Sequence, residues 1–217
     1  MNEKFFKLPQ ERQNQIINSA LKVFSKASYY QTSTLEIARE AGMSKGLLFY
    51  YFKNKKELYL FLYEYCVKLS LKEIDENRSV EERDFFEIIM KSQRLKCKLM
   101  KKYRYIYEFI VKVYKESDEE VIEDIARFSE PLINNNYNNF FEKIDRKKFR
   151  EGVDIPLLFQ SLQWCADGFM RNALNSNKTI DEIDLEFSKI LEMYKQNFYK
   201  EEFACTTMNT EIGKTTQ

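Results

Sequence analysis

Residues 40–58, EAGMSKGLLFYYFKNKKEL, decide how the rest of this 217-residue chain is read. They hold two of its five glycines, Gly42 and Gly46, beside three consecutive aromatics, Phe49, Tyr50 and Tyr51, and the lysines Lys53, Lys55 and Lys56. Gly42 follows the helical pattern of Leu35, Ile37, Ala38 and Ala41, and a glycine there can take positive φ, stop the helix and turn the chain sharply. Ser44, two residues on, can cap the next helix by accepting a first-turn N–H. Two short helices separated by about three residues that include glycine describe a helix-turn-helix.

Upstream, Ile16, Ile17, Ala20, Leu21 and Phe24 recur at helical spacing and predict an amphipathic helix over 10–27, with Pro9 at its start. Ser33-x-x-Glu36 predicts a capping box for the second helix, and Asn54-x-x-Glu57 opens a long fourth helix through Leu58, Leu62 and Tyr65 to about Asn77. Five more helices are expected near 80–101, 103–115, 118–143, 154–176 and 179–203. Pro131 should kink or divide the third of these, and the charged stretch DRKKFREGVD at 145–154 marks the longest loop. Three prolines and five glycines are too few for a sheet-rich fold, whereas Lys, Glu, Leu and Ile abound. The chain therefore reads as all-α, with about nine helices in total. A three-helix helix-turn-helix domain spans 1–54, a larger helical domain spans 55–203, and 204–217 form a polar tail expected to be disordered.

Formal net charge is only +1, but the first sixty residues carry ten Lys and Arg against five Asp and Glu, and the remainder 25 against 29. The basic end is the helix-turn-helix end. The four cysteines show no C-x-x-C spacing, and the chain opens without the apolar stretch of a signal peptide. Free thiols in a reducing cytoplasm, with no metal and no cofactor, are the expectation. No apolar run approaches the roughly 20 residues of a membrane span; LYLFLYEYCVKLSL is broken by Glu64 and Lys68. Enzymatic function is disfavoured, because there is no histidine for acid–base work and no glycine-rich phosphate loop or G-x-S-x-G elbow. Carboxylate-only chemistry stays open on composition alone.

If residues 45–52 are helical, each step turns about 100°, so Leu48 and Phe52 share one face while Gly46 and Tyr50 point the opposite way. Leu47 and Phe49 flank that outer face. Duplex DNA fits it: a helix enters the major groove, its first residues read base edges, and its flanks engage phosphates. Gly46 lets the backbone approach the bases, Lys45 reaches guanine O6 or N7, and Leu47 offers apolar contact to a thymine methyl. The tyrosine hydroxyls and Lys55, with the free N–H groups at the start of the fourth helix, are placed to hold phosphates.

The segment TSTLEIAREAGMSKGLLFYYFKNKKEL, residues 32–58, resembles the DNA-binding segment of the TetR family of transcriptional regulators. The shared pattern is carried by Thr32, Ser33, Ile37, Ala38, Ala41, Gly42, Ser44, Gly46, Leu48, Tyr51, Phe52, Lys55 and Leu58, and IINSALKVF at 16–24 is similar to the family's first helix. The resemblance implies helix-start contacts to DNA from Thr34 and Ser44, groove contacts from Lys45, Gly46 and Leu47, and phosphate contacts from Tyr50, Tyr51 and Lys55. Phe49 stands where the family usually has Tyr, and Ser28 where it usually has Gly. The same resemblance makes residues 55–203 an effector-binding and dimerisation domain whose last two helices pair with those of a twin. Their apolar stripes carry Leu158, Leu162, Cys165 and Phe169, then Ile183, Phe187, Ile190 and Tyr194. It also implies a pocket for a small hydrophobic effector, with Phe109, Phe128 and Trp164 as candidate wall. The expected protein is a repressor that binds a palindromic operator in double-stranded DNA as a homodimer and is released by that effector. On that geometry, Tyr50→Ala or Lys55→Ala should weaken binding and leave folding nearly intact. A helical protein-interaction module without DNA binding is the alternative.

Overall fold

The computed structural model describes residues 3–76 and 82–204, without the side chains of 74–76 and 133–137. The described residues form helices and their connections: α1 (Glu3–Phe6), α2 (Gln10–Phe24), α3 (Thr34–Glu40), α4 (Lys45–Tyr51), α5 (Lys55–Glu76), α6 (Phe85–Lys102), α7 (Ile106–Tyr114), α8 (Ile122–Lys143), a 3-10 turn (Arg146–Lys148), α9 (Ile155–Leu174), α10 (Ile180–Phe198) and α11 (Glu201–Ala204). Of the expected tail 204–217, Ala204 is a buried residue of α11 and the rest, with Cys205, lies outside the described residues, as does the predicted end of α5 at Asn77.

Two compact units emerge. The first holds α1–α5, residues 91–102 of α6, α7 and α8; its core takes the inward stripe of α2, with Ile16, Ile17, Ala20, Leu21 and Phe24 at 0–1% exposure, together with Ile37, Leu48, Phe52 and Leu62. Phe24, Tyr29 and Phe109 close around Tyr59, with ring centroids 4.9–5.4 Å from it. The second unit holds residues 83–90, the 3-10 turn, α9, α10 and α11. Its centre is the aromatic group Phe85, Phe86, Phe149 and Tyr199. Asp84 caps α6 by accepting the Glu87 N–H (3.0 Å), pairs with Lys148 at 2.6 Å and accepts the Tyr199 hydroxyl proton at 3.1 Å.

Several expectations are corrected. The Ser33 capping box does not form: Ser33 has extended backbone (φ −93°, ψ 122°), but its hydroxyl makes no cap bond, and at this exposed start water can satisfy the free N–H groups. A capping box does form at Thr179 and Glu182. Of the kink or division expected at Pro131, the division does not occur, since α8 runs on through it; Pro131 and Arg127 are both exposed, so the carbonyl that the proline leaves unbonded is open to hydration. The expected last helix stops at Phe198 because the loop after the 3-10 turn competes for its backbone. Phe149 bridges Tyr199, the Lys200 N–H donates to Lys148 O (2.9 Å), and the Arg150 N–H donates to Phe198 O (3.0 Å). The end of that expected span folds as a separate short helix, α11, and α1 has no counterpart in the expected nine.

Candidate nucleic-acid interface

The turn between α3 and α4 is built by its backbone. The Met43 N–H donates to Ala38 O (2.9 Å) and the Gly42 N–H to Arg39 O (3.0 Å), with Gly42 at φ +60°. This is a Schellman motif, and its left-handed residue favours glycine. Ser44 then caps α4, its hydroxyl accepting the Leu47 N–H at 3.1 Å. From α2, the Arg12 guanidinium donates to Gly42 O (3.2 Å) and Lys22 meets Glu40 at 2.6 Å, a hydrogen bond that raises the Lys22 pKa.

So oriented, α4 separates its faces as helical geometry demands. Leu48 and Phe52 are fully buried, whereas Ser44, Lys45, Gly46, Leu47 and Tyr50 are exposed, Leu47 by 40% and Tyr50 by 57%. A Cβ built on Gly46 would meet only Ser44 Oγ, at 4.0 Å. The fold therefore leaves room for a side chain at this position.

Residues 16–61 match the family model described as bacterial regulatory proteins, tetR family. Over 56 residues the chain is 52% identical to the HTH-type transcriptional regulator HbdR of Aromatoleum sp. (strain CIB), covering 26% of this chain and 24% of that one. The chain thus spans about a quarter of the length of the curated relatives it matches. Whole-fold likeness is broader. MexZ of Pseudomonas aeruginosa, described as a key repressor responsible for antibiotic resistance, superposes with a TM-score of 0.57 at 20% identity, over 92% of this chain and 100% of that one. FadR of Bacillus subtilis in complex with stearoyl-CoA gives 0.53 at 18% identity, over 82% and 96%.

The chain carries a TetR-family DNA-binding domain on a TetR-family fold. Within that TetR domain, Thr34 is the half-buried first residue of α3, and Tyr51 is half-buried with its ring against Tyr50 (5.4 Å) and Phe5 (6.3 Å). Lys55 is tied inside the chain: its ammonium donates to Tyr29 O (3.0 Å) and Tyr30 O (3.2 Å) and sits 4.3 Å from the Tyr29 ring centre. Lys45 lies 5.6 Å from the Phe49 ring centre, so that residue gives the lysine a surface even without a hydroxyl. α1 packs on the same domain and escaped the sequence reading, because four residues make too short a periodic signal.

Of the expected pocket residues, Phe109 is a core ring at 0% exposure, Trp164 is 61% exposed on α9, and Phe128 lines a groove of about 340 Å³. The groove runs between Leu60, Tyr63 and Glu64 of α5 and Asp124, Arg127 and Phe128 of α8. Asp124 is held below its usual range chiefly by its hydrogen bond to Lys56, at 2.7 Å. Of the expected interface residues, Leu158, Leu162, Ile183 and Phe187 are buried in the chain's own core, where the Phe169 ring lies tilted against Phe187 with centroids 5.2 Å apart. Cys165, Phe169, Ile190 and Tyr194 are half-buried, and the open apolar side chains of α9 and α10 are Leu157, Trp164, Leu185 and Met193. Among the described residues, no helix is long and apolar enough to cross a membrane.

Proposed function

We propose that this chain is a transcriptional repressor in which a homodimer reads a palindromic operator through α4 and is released by a small hydrophobic effector. The observation that carries the reading is the exposed Ser44–Lys45–Gly46–Leu47 edge with Tyr50, opposite the buried Leu48 and Phe52. In this reading the functional boundary falls at 54/55, after the reading head. Lys45 and Leu47 contact base edges, Thr34 and Ser44 the backbone at the helix starts, and Tyr50 and Tyr51 donate to phosphate oxygens. Lys55 uses two of its three N–H donors on the 29–30 loop, and the third serves a phosphate.

Dimerisation is assigned to α9 and α10. Leu157, Trp164 and Gly168 stand at i, i+7 and i+11 on one stripe, and a Cβ on Gly168 would meet nothing within 4 Å, so a partner helix can approach there. A twofold pair sets two reading helices against half-sites about 34–36 Å apart. The groove between α5 and α8 is the effector site of this reading: Tyr63 and Phe128, 5.5 Å apart, supply an apolar floor beneath a charged rim. The resemblance to MexZ and to the acyl-CoA-bound FadR supports repression and a hydrophobic ligand. Work in the cytoplasm follows from operator binding.

Enrichment of duplexes from a random-sequence pool by the full chain tests the reading. The expected product is a palindrome whose affinity falls linearly in log–log with salt, by about 0.9 per phosphate contact. Failure to enrich any sequence would overturn it in favour of a protein-interaction module.

A further inference from the structure

Resting on the DNA-binding reading above, we infer that Lys4 is a further phosphate-contacting residue, held at the edge of the reading face by α1. One helical turn of four residues has no stability of its own; beyond its end α1 is continued by the Lys7 N–H donating to Glu3 O (3.2 Å) and the Leu8 N–H donating to Phe5 O (3.1 Å). Tertiary contacts hold it instead. Phe5 is 0% exposed, with its ring 5.2 Å from Phe52, 5.3 Å from Phe61 and 6.3 Å from Tyr51. The Gln13 side chain, 7% exposed, donates to Phe6 O (3.2 Å) and Leu8 O (2.8 Å) and pins the turn to α2.

Phe52 and Tyr51 end the reading helix, so α1 is fastened to the element that enters the groove. With Phe5 directed inward, Lys4 beside it is exposed, and its ammonium lies 4.2 Å from the centre of the Tyr50 ring. Tyr50 shares the outer side of α4 with Gly46. Among the described residues no carboxylate pairs with Lys4, so its charge is not spent inside the chain. A cation held on an aromatic face next to a DNA-facing hydroxyl is already partly ordered, and it loses less side-chain freedom when a phosphate arrives. Lys4 and Tyr50 then form one clamp, the ring carrying the ammonium and both presenting donors to the same backbone.

The test uses the full chain and a duplex that the wild-type protein enriches from a random pool. Lys4→Ala is expected to lower the log–log salt slope by about 0.9 for each protomer bound and to weaken affinity most at low salt, with an unchanged circular dichroism melt. Lys4→Arg should restore the slope. A lysine that merely covers Tyr50 would leave the slope at its wild-type value, and that result overturns the inference. If Lys45→Ala weakens binding while Lys4→Ala changes neither slope nor affinity, the DNA-binding reading stands and only the Lys4 assignment falls. If the wild-type chain enriches no duplex, both fall together.

Discussion

Replacing Gly46 by alanine separates what the fold requires from what a ligand requires. Gly46 is the second residue of α4 and does not need left-handed backbone, and the added methyl would meet only Ser44 Oγ at 4.0 Å, an ordinary contact. Alanine in a helix is favoured over glycine by roughly 0.5–1 kcal/mol, so Gly46→Ala should stabilise the chain. For a chain of this length that corresponds to a melting point raised by roughly 1–4 °C. Against DNA the sign reverses: a methyl wedged between the helix backbone and the base edges costs about 1–3 kcal/mol by the measure of an overpacked interface, a loss of roughly fivefold to 150-fold per reading helix. Thermal melts and fluorescence anisotropy on the enriched duplex read the two effects on one protein sample. A higher melting point with unchanged affinity would refute the close approach at Gly46. A lower melting point would refute the packing of α4.

Tyr50→Phe keeps the ring under Lys4 but deletes the hydroxyl; because Tyr50 is 57% exposed, the melt should hold while affinity drops by about 1.5–3 kcal/mol, the worth of a hydrogen bond to a charged group, measured by anisotropy. Trp164→Glu places a charge on the open stripe of α9 and should yield a 26.2 kDa monomer by light scattering, since buried tryptophans commonly contribute about 2 kcal/mol or more to an interface. Asp84 governs an acid-sensitive share of stability. Burial pushes its carboxyl pKa up, but the Lys148 ammonium, the Glu87 N–H and the Tyr199 hydroxyl together hold it below the usual carboxylate value. Its contribution is therefore present above an unfolded pKa of about 3.9 and is lost as pH falls through the lower folded value. The urea-midpoint deficit of Asp84→Asn against wild type should be full at neutral pH and shrink as pH falls below about 3.9.

The helix-turn-helix was legible because its punctuation is local. Gly42 needs only its own φ of +60° to end α3, and Ser44 needs only a neighbour three residues on. The two faces of α4 followed from helical rotation alone. What escaped depended on partners remote in sequence. Ser33 and Glu36 had the right spacing for a capping box, but spacing does not set the rotamer of an exposed serine. The break after Phe198 is imposed by residues 148–150, about fifty positions earlier. Leu158, Leu162, Ile183 and Phe187 form the stripes the sequence displays, yet a stripe cannot say whether its cover is the same chain or a twin. The structure buries those four and leaves Leu157, Trp164, Leu185 and Met193 open, one or a few positions round each helix. Phe109 and Trp164, both expected in a pocket wall, part for the same reason, Phe109 into the core and Trp164 onto the surface: aromatic content marks neither until packing is known.

Lys55 shows where a functional motif also carries structure. As a free phosphate contact it could be lost without cost to folding, but its ammonium spans Tyr29 O and Tyr30 O and covers the Tyr29 ring, joining the start of α5 to the loop between α2 and α3. The same loop is held from its other side, where the Glu116 carboxylate accepts the Tyr29 N–H at 2.9 Å. Removing the cation leaves the two carbonyls to water and forfeits charge-assisted bonds at a half-buried site, so Lys55→Met should cost about 1–3 kcal/mol of unfolding free energy in urea. If the third N–H also serves a phosphate, the salt slope on the enriched duplex drops by about 0.9 per protomer. Lys55→Arg, which keeps the charge but not the compact ammonium, should restore most of the slope and only part of the stability. Full stability in Lys55→Met would refute the tie. Lowered stability with an unchanged slope would mean that Lys55 positions the reading head and that Tyr50, Tyr51 and Lys4 meet the phosphates without it.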